Sequence, residues 1–325
     1  MKTVALIGAG SIGSRHLQAL AALGPEWSIT VVEPSSKSMA VAQSRYEDVT
    51  QDGSPKPSYH HSLDGLTDFI DVCILATPAG GRLQLVRDVL LRSKCRYMVL
   101  EKVVFQSVSD FAVAQDLFSD HGVDVWVNCP RRQWPVFQDL KTALHGSERI
   151  DGHFSRSNFA LACNAVHLID AFQFITGVAD ITVDASGLSD PILDDKRAGY
   201  VEFTGTLKVT NSRSDMLTLC GYASECAVPP VMTVMSDKHR WLFKQQAGLV
   251  SVAEPSSTWD WQECSVTVPP QSSLTADIVH NLITDGSCAL TTFAESTQAH
   301  VPMLNAFLDR IEVASGTRPE RCNIT

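Results

Sequence analysis

The apolar run Met1-Lys2-Thr3-Val4-Ala5-Leu6-Ile7 leads directly into Gly8-Ala9-Gly10-Ser11-Ile12-Gly13, and Arg15, His16 and Leu17 then open an amphipathic stretch. A G-x-G-x-x-G spacing between a predicted strand and a predicted helix admits few folds. Gly8 permits the tight turn, Gly10 lets the main chain approach a pyrophosphate, and Gly13 lets helix and strand pack closely. The helix N-terminus turns free N–H groups and the positive end of its dipole toward phosphates. Gly8, Gly10, Ser11, Ile12 and Gly13 are therefore the expected phosphate-side contacts of a dinucleotide.

A second element supports this reading. Ile29-Thr30-Val31-Val32 reads as the next strand and ends in Glu33, twenty residues after Gly13. A carboxylate there can accept hydrogen bonds from the adenosine ribose hydroxyls, which suits NAD and repels the extra phosphate of NADP. Ser35, Ser36 and Lys37 follow and leave room for NADP, because they could hold that phosphate instead.

Residues 1–127 read as alternating strands and helices. Strands are expected over 3–7, 28–32, 72–78, 97–100 and 123–127, with helices over 14–22, 36–43, 83–92 and 108–118. The stretch 49–61, with Gly53, Pro55 and Pro57, reads as loop or a short edge element. This alternation defines a Rossmann domain with a doubly wound parallel sheet. After Asn128 the pattern changes. Helices are expected over 134–144 and 166–175, and consecutive strands over 181–183, 200–209, 216–220, 231–236, 241–245, 249–253 and 264–268. Helices return over 275–285 and 294–313. Strands without intervening helices imply a mostly antiparallel sheet, so residues 128–325 are expected to form a C-terminal α+β substrate and oligomerisation domain.

Composition excludes several function classes. The chain of 325 residues has a net charge of −10, so no basic field attracts nucleic acid or an anionic membrane surface. No stretch reaches the roughly 18 apolar residues of a membrane-spanning helix. The apolar start becomes the glycine motif at once and so reads as a strand, not a signal peptide. The nine cysteines lack C-x-x-C pairs and read as small thiols of a reducing compartment. Cytoplasm is the expected location. The ten histidines show no ligand spacing apart from His60-His61 in a loop, and no metal is expected.

In an open parallel sheet, ligands bind beyond the carboxyl ends of the strands. That rule selects Thr77-Pro78-Ala79-Gly80, Glu101-Lys102 and Asn128-Cys129-Pro130-Arg131-Arg132. Thr77 and Pro78 are expected against the cofactor, and Glu101 and Lys102 near nicotinamide and substrate. A partly desolvated lysine there can exchange a proton with a carbinol oxygen while hydride leaves the adjacent carbon. The alternative is a surface lysine paired with Glu101.

These residues resemble the Gfo/Idh/MocA family of NAD(P)-dependent oxidoreductases, which act mainly on sugars, inositols and related polyols. Gly8, Gly10, Gly13 and His16 fit the family's glycine loop, Thr77-Pro78 its T-P element, and Glu101-Lys102 the start of its E-K-P motif. Arg132 and Pro135 fit R-x-x-P, and His167 and Asp170 fit H-x-x-D. The resemblance implies a Rossmann domain joined to a domain with a large open sheet, which often forms a dimer or tetramer interface. It makes Lys102 and His167 the catalytic candidates, and Arg132, Cys163, Asn164 and Asp170 the substrate-binding ones.

The departures are specific. The E-K-P proline, often preceded by a cis bond that helps position the lysine, is Val103. The histidine that commonly follows T-P is Arg82. The acid of D-x-x-x-H is Cys163. On a helix, Asn164, His167 and Asp170 lie roughly on one face. His167 alternatively reads as a satisfied core histidine, and Asp170 as a structural partner of an arginine such as Arg132. A Cys163–His167 nucleophilic pair would need an oxyanion hole and an orienting group, for which the sequence offers no other sign. The N-x-x-H-x-x-D form is similar to members associated with bacterial surface-sugar and nonulosonic-acid biosynthesis.

The expected function is hydride transfer between nicotinamide and a carbinol or keto carbon of a sugar or nucleotide-sugar, by a homodimer or homotetramer using NAD. Two alternatives stay open: an NADPH-dependent reductase of a keto-sugar or imine, and a dinucleotide-binding regulatory or partner protein without turnover.

Overall fold

The computed structural model describes residues 1–195, 197–223 and 225–325. The chain divides into two compact units. The first comprises Met1–Phe105, Ser109–Pro130 and Pro269–Phe293; the second comprises Gln106–Val108, Arg131–Val268 and Ala294–Thr325.

In the first unit, β1 (Lys2–Ile7), α1 (Gly13–Leu20), β2 (Trp27–Val32), α2 (Ser36–Glu47), β3 (Ser58–His60), β4 (Phe69–Leu75), α3 (Arg82–Arg92), β5 (Lys94–Leu100), α4 (Ser109–His121) and β6 (Asp124–Val127) alternate as the sequence implies. Two elements come from far downstream, α7 (Thr275–Asp285) and β17 (Thr291–Thr292). The sheet order is β17-β6-β5-β4-β1-β2-β3. β1 pairs in parallel with both β2 and β4, so the strand order reverses there. Only β17 runs antiparallel, along β6. Ser58–His60 forms the parallel edge strand that the loop reading of 49–61 left room for.

Apolar alternation explains the layers. Val4, Leu6, Ile29, Val31, Val72 and Ile74 share one buried cluster with Leu17 and Leu20 of α1 and Ile278, Val279 and Leu282 of α7. A separate aromatic set of Phe105, Phe111, Phe118 and Phe293 packs with ring centroids 5.0 to 6.3 Å apart. Chain from residues 269–293 thus closes a domain that the first 130 residues begin.

The second unit is built on α5 (Pro135–Ala143), β7 (Ile150–Ser157), α6 (Leu161–Thr176), β8 (Ile181–Asp184), β11 (Gly205–Asn211), β12 (Met216–Tyr222), β13 (Val231–Ser236), β14 (Arg240–Lys244), β15 (Leu249–Ala253) and β16 (Gln262–Ser265). A small ribbon pairs β9 (Leu193–Asp194) with β10 (Val201–Glu202), and α8 (Phe293–Ser315) begins at the boundary of the two units. The large sheet has the order β16-β15-β14-β13-β7-β12-β11-β8. Its pairs are antiparallel except β7 with β12. The sequence reading contains no strand over 150–157, yet β7 lies in the middle of the sheet. Its apolar signal is thin: Ile150 and Phe154 are buried, with Gly152 between them and polar residues on the other face.

α6 packs against α5 and β12. Ala160, in the left-handed region at φ 51°, turns the chain into α6, and Gly177 at φ 69° ends it. The carboxylate of Glu202 accepts a hydrogen bond from the Ala162 N–H at 2.6 Å and so satisfies a donor of the first turn. On the opposite sheet face, His153, Thr218, Thr233 and Leu242 are half-buried. Among the described residues no helix is long and apolar enough to cross a membrane, no two cysteines are joined by a disulfide, and no group of three or more His, Cys, Asp or Glu side chains is placed to hold a metal ion.

Candidate functional site

The loops after β1 and β4 meet at the point where the strand order reverses, where open α/β sheets bind ligands. Two of the three glycines are required by internal packing. A Cβ on Gly8, whose φ is 87°, would lie 2.9 Å from both the Ala76 carbonyl oxygen and Thr77 Cγ2. A Cβ on Gly13 would lie 1.9 Å from the Gly8 carbonyl oxygen, so turn and helix pack backbone to backbone. Gly10 differs: no atom lies within 4 Å of where its Cβ would be. The fold itself does not need a glycine there. Space over a bare backbone, at the start of α1, is the geometry that a phosphate group uses. Ser11 and Ile12 are exposed beside it.

Glu33 ends β2 with its carboxylate turned back to the glycine loop. It accepts from the Ala9 N–H at 2.7 Å and from the Ser35 N–H at 2.9 Å. Two amides therefore fix the acid at the loop, with oxygen lone pairs left for a ligand hydroxyl. The Ser35 hydroxyl accepts from the Ser38 N–H and caps α2, whereas Ser36 and Lys37 are exposed. Buried Thr77 Oγ1 and Asn128 Oδ1, at the ends of β4 and β6, meet no hydrogen-bond partner among the described residues. Buried polar atoms without partners are costly, and a bound polar ligand would satisfy them. The residues present thus fit a dinucleotide. Pro78 lies exposed after Thr77.

Glu101 sits in a closed ring of side chains, all buried except the half-buried Gln271. His16 Nε2 lies 2.9 Å from its Oε1, and Asn128 Nδ2 donates to the same oxygen at 2.5 Å. Asn128 also donates to Gln271 Oε1 at 3.1 Å, Gln271 donates to Thr275 Oγ1 at 3.2 Å, and Thr275 Oγ1 lies 2.8 Å from His16 Nδ1. Burial opposes ionisation of Glu101, but the hydrogen bond and charge of His16, the Asn128 bond and the Lys102 charge outweigh it. They hold the carboxyl below its ordinary value of 4.5. The expected cofactor contact of Glu101 is therefore joined by a second role, tying α1, β5, β6 and the chain entering α7 together. Lys102 follows half-buried, and its peptide bond to Val103 is cis although no proline follows. Sequence reasoning placed His16 in the glycine motif and Asn128 at a strand end; Gln271 and Thr275 carried no signal.

In the second unit, α6 is almost wholly buried. Of its first ten residues, Leu161 through Asp170, only Cys163, Asn164 and His167 are not. These three form a short polar strip on an apolar helix. The Asn164 side chain donates to the Phe159 carbonyl at 2.7 Å and holds the turn into α6. Asp170 is fully buried and apart from the strip. Arg132 Nε donates to both its oxygens at 3.0 Å, and Arg132 Nη2 lies 2.9 Å from Oδ1. Arg132 Nη1 also lies 3.4 Å from Glu295 Oε2. The two expected substrate contacts Arg132 and Asp170 are thus joined to each other, the structural alternative for Asp170.

Residues 2–129 match the family described as an oxidoreductase family with an NAD-binding Rossmann fold, GFO_IDH_MocA. Over those residues the chain is similar to the NAD-binding domain of the Gfo/Idh/MocA oxidoreductases. No match was found among curated protein sequences. Among solved structures, UDP-N-acetylglucosamine 3-dehydrogenase from Acidithiobacillus ferrooxidans is similar at TM-score 0.71 and 12% identity, over 96% of this chain and 97% of that one. An oxidoreductase from Agrobacterium radiobacter, in complex with NAD+, L-tartaric acid and magnesium, is similar at TM-score 0.71 and 16% identity, over 97% of each chain. Biliverdin reductase from Synechocystis, in complex with biliverdin and NADP+, is similar at TM-score 0.72 and 14% identity, over 97% of this chain and 99% of that one. At these identities the structures establish a shared fold.

Two measurements check this geometry. Asp170→Ala strands a buried guanidinium and is expected to cost about 3–5 kcal/mol in denaturant unfolding; a loss below about 1 kcal/mol would contradict the pair's structural role. Glu101, with its folded-state pKa depressed, contributes stability that is present above about 4.5 and is lost as pH falls through the folded value. Glu101→Gln is expected to be less stable at neutral pH and to lose less on acidification than the wild-type protein. Parallel acid profiles would contradict it.

Proposed function

We propose that the protein is an NAD(H)-dependent oxidoreductase moving hydride between nicotinamide and the carbinol or keto carbon of a sugar or nucleotide-sugar, in carbohydrate or surface-polysaccharide metabolism. The observation that carries the proposal is Gly10, whose missing side chain serves no internal contact and leaves backbone bare for a pyrophosphate. Gly8, Gly10, Ser11, Ile12 and Gly13 would hold the phosphates, Glu33 the adenosine ribose, and Thr77, Pro78 and Glu101 the nicotinamide half. NAD, when bound, supplies the carbon that takes or gives the hydride.

Lys102 is proposed to donate a hydrogen bond from Nζ to the substrate oxygen and so stabilise the charge that develops there. His167 is proposed to hold or release the oxygen's proton. Asn164 and Cys163 supply polar contacts beside it. Arg132, bound to Asp170, supports α6 from behind, and a substrate acid or phosphate would meet its guanidinium by taking the place of Glu295 at Nη1. The half-buried sheet face of the second unit supports a homodimer or homotetramer, and unbridged cysteines suit a cytoplasmic protein.

A second reading, a dinucleotide-binding regulatory protein without turnover, is favoured by one observation: Cys163 stands where the resemblance places an acid. Lys102→Ala separates the two. Under the enzyme reading it keeps NADH affinity and loses turnover in a sugar and nucleotide-sugar screen. A wild-type protein that binds NADH yet reduces or oxidises nothing in that screen supports the regulatory reading. Glu33→Ala is expected to lower the preference for NADH over NADPH; unchanged preference would remove Glu33 from the ribose.

A further inference from the structure

Arg82 is the first residue of α3 and is 1% exposed, among the largest fully buried side chains of the described residues. Its Nη1 donates to three main-chain carbonyls: Glu101 at 2.5 Å, Val103 at 2.5 Å and Val104 at 2.8 Å. Its Nη2 donates to a fourth, that of Thr77. Val103 and Val104 are wholly buried, so their carbonyls need donors from the protein. A guanidinium presents five N–H donors in a rigid plane. A histidine has at most two, and a lysine carries three on one atom.

These carbonyls bracket Lys102. The Glu101 carbonyl before it and the Val103 and Val104 carbonyls after it are fastened to one guanidinium, while the Glu101 side chain is fastened to His16 and Asn128. The Lys102 backbone is thereby fixed, and only the side-chain torsions remain to place Nζ. The same guanidinium holds the Thr77 carbonyl, so it also sets the distance between the Lys102 segment and the loop whose Thr77 Oγ1 awaits a partner. Two departures from the family pattern meet here, since Arg82 stands in the place of the histidine and donates to Val103, which stands in the place of the proline.

We propose that Arg82 is the positioning residue for Lys102: it acts through the backbone of 101–104 to hold the lysine against the Thr77 loop. This role rests on the reading of Lys102 as the group that meets the substrate oxygen. A fixed Nζ is worth having because a misplacement of about 1 Å can cost roughly a hundredfold in rate.

The test is the reactivity of Lys102 in the full-length protein. Trinitrobenzenesulfonate labelling across a pH series, read by peptide mass spectrometry, gives the rate at Lys102 relative to exposed Lys94. In Arg82→Met, with the melting transition still cooperative, the relative Lys102 rate and its pH profile are expected to shift by about tenfold. Arg82→Lys, which restores charge and three donors, is expected to lie between. A folded Arg82→Met with wild-type Lys102 labelling overturns the proposal. If that variant does not fold, Arg82→Lys decides in the same way, and failure of both to fold would make Arg82 a requirement of the fold and overturn a positioning role. Wild-type NADH binding is measured in parallel: its absence sinks the oxidoreductase reading, while the labelling comparison judges Arg82 independently.

Discussion

The close approach of the glycine turn to α1 is the contact on which the rest of the first unit depends. Gly13 packs so near the Gly8 carbonyl that no side chain fits, and Gly8 packs closely, though less tightly, on Ala76 and Thr77. That contact sets α1 against β1 and β4, brings its N-terminus to the strand ends, and aims His16 at Glu101. It also brings the Ala9 N–H to the Glu33 carboxylate. A larger residue at either position would separate the loops and disperse every group that follows. Gly10 belongs to the same turn but takes no part in this packing, and that contrast separates what the fold needs from what a ligand needs.

Around this turn the chain spends its buried polar groups on holding a short segment still. Glu101 enters a ring that spans four parts of the unit, and Arg82 gathers four carbonyls from two loops. Buried charges cost free energy unless hydrogen bonds replace the lost water. Here the replacement partners are backbone carbonyls at the ends of β4 and β5 for Arg82, and His16 of α1 with Asn128 at the end of β6 for Glu101. The second unit follows the same logic: Arg132 with Asp170 and Glu202 with the first turn of α6 stiffen a helix whose polar strip is Cys163, Asn164 and His167.

Much of this was legible in the sequence because it rests on local spacing. The glycine turn, the twenty-residue step to Glu33, and Thr77, Lys102 and Asn128 at strand ends follow from alternating apolar periods and breakers. What was not legible depends on distant chain. β7 is central to its sheet, yet only Ile150 and Phe154 carry apolar bulk into the core. β17 has two residues and exists because β6 offers an edge. Asp170 shares a helical face with His167 on paper, but Arg132, thirty-eight residues earlier, draws its carboxylate into the core. Arg82 registered in the sequence only as a departure from a pattern; its four carbonyl partners emerge when β4 and β5 lie side by side. The ring residues Gln271 and Thr275 return from the far end of the chain, so no motif could announce them.

The central claim is that Gly10 is bare for a ligand and not for the fold. Its most direct measurement is a nicotinamide-fluorescence titration of wild type and Gly10→Ala with NADH, with the melting temperature of each recorded alongside. The expected result is saturable binding by the wild type, sharply weakened binding by the variant, and unchanged melting temperatures. Equal affinity in the two proteins, or no binding by the wild type, would contradict it.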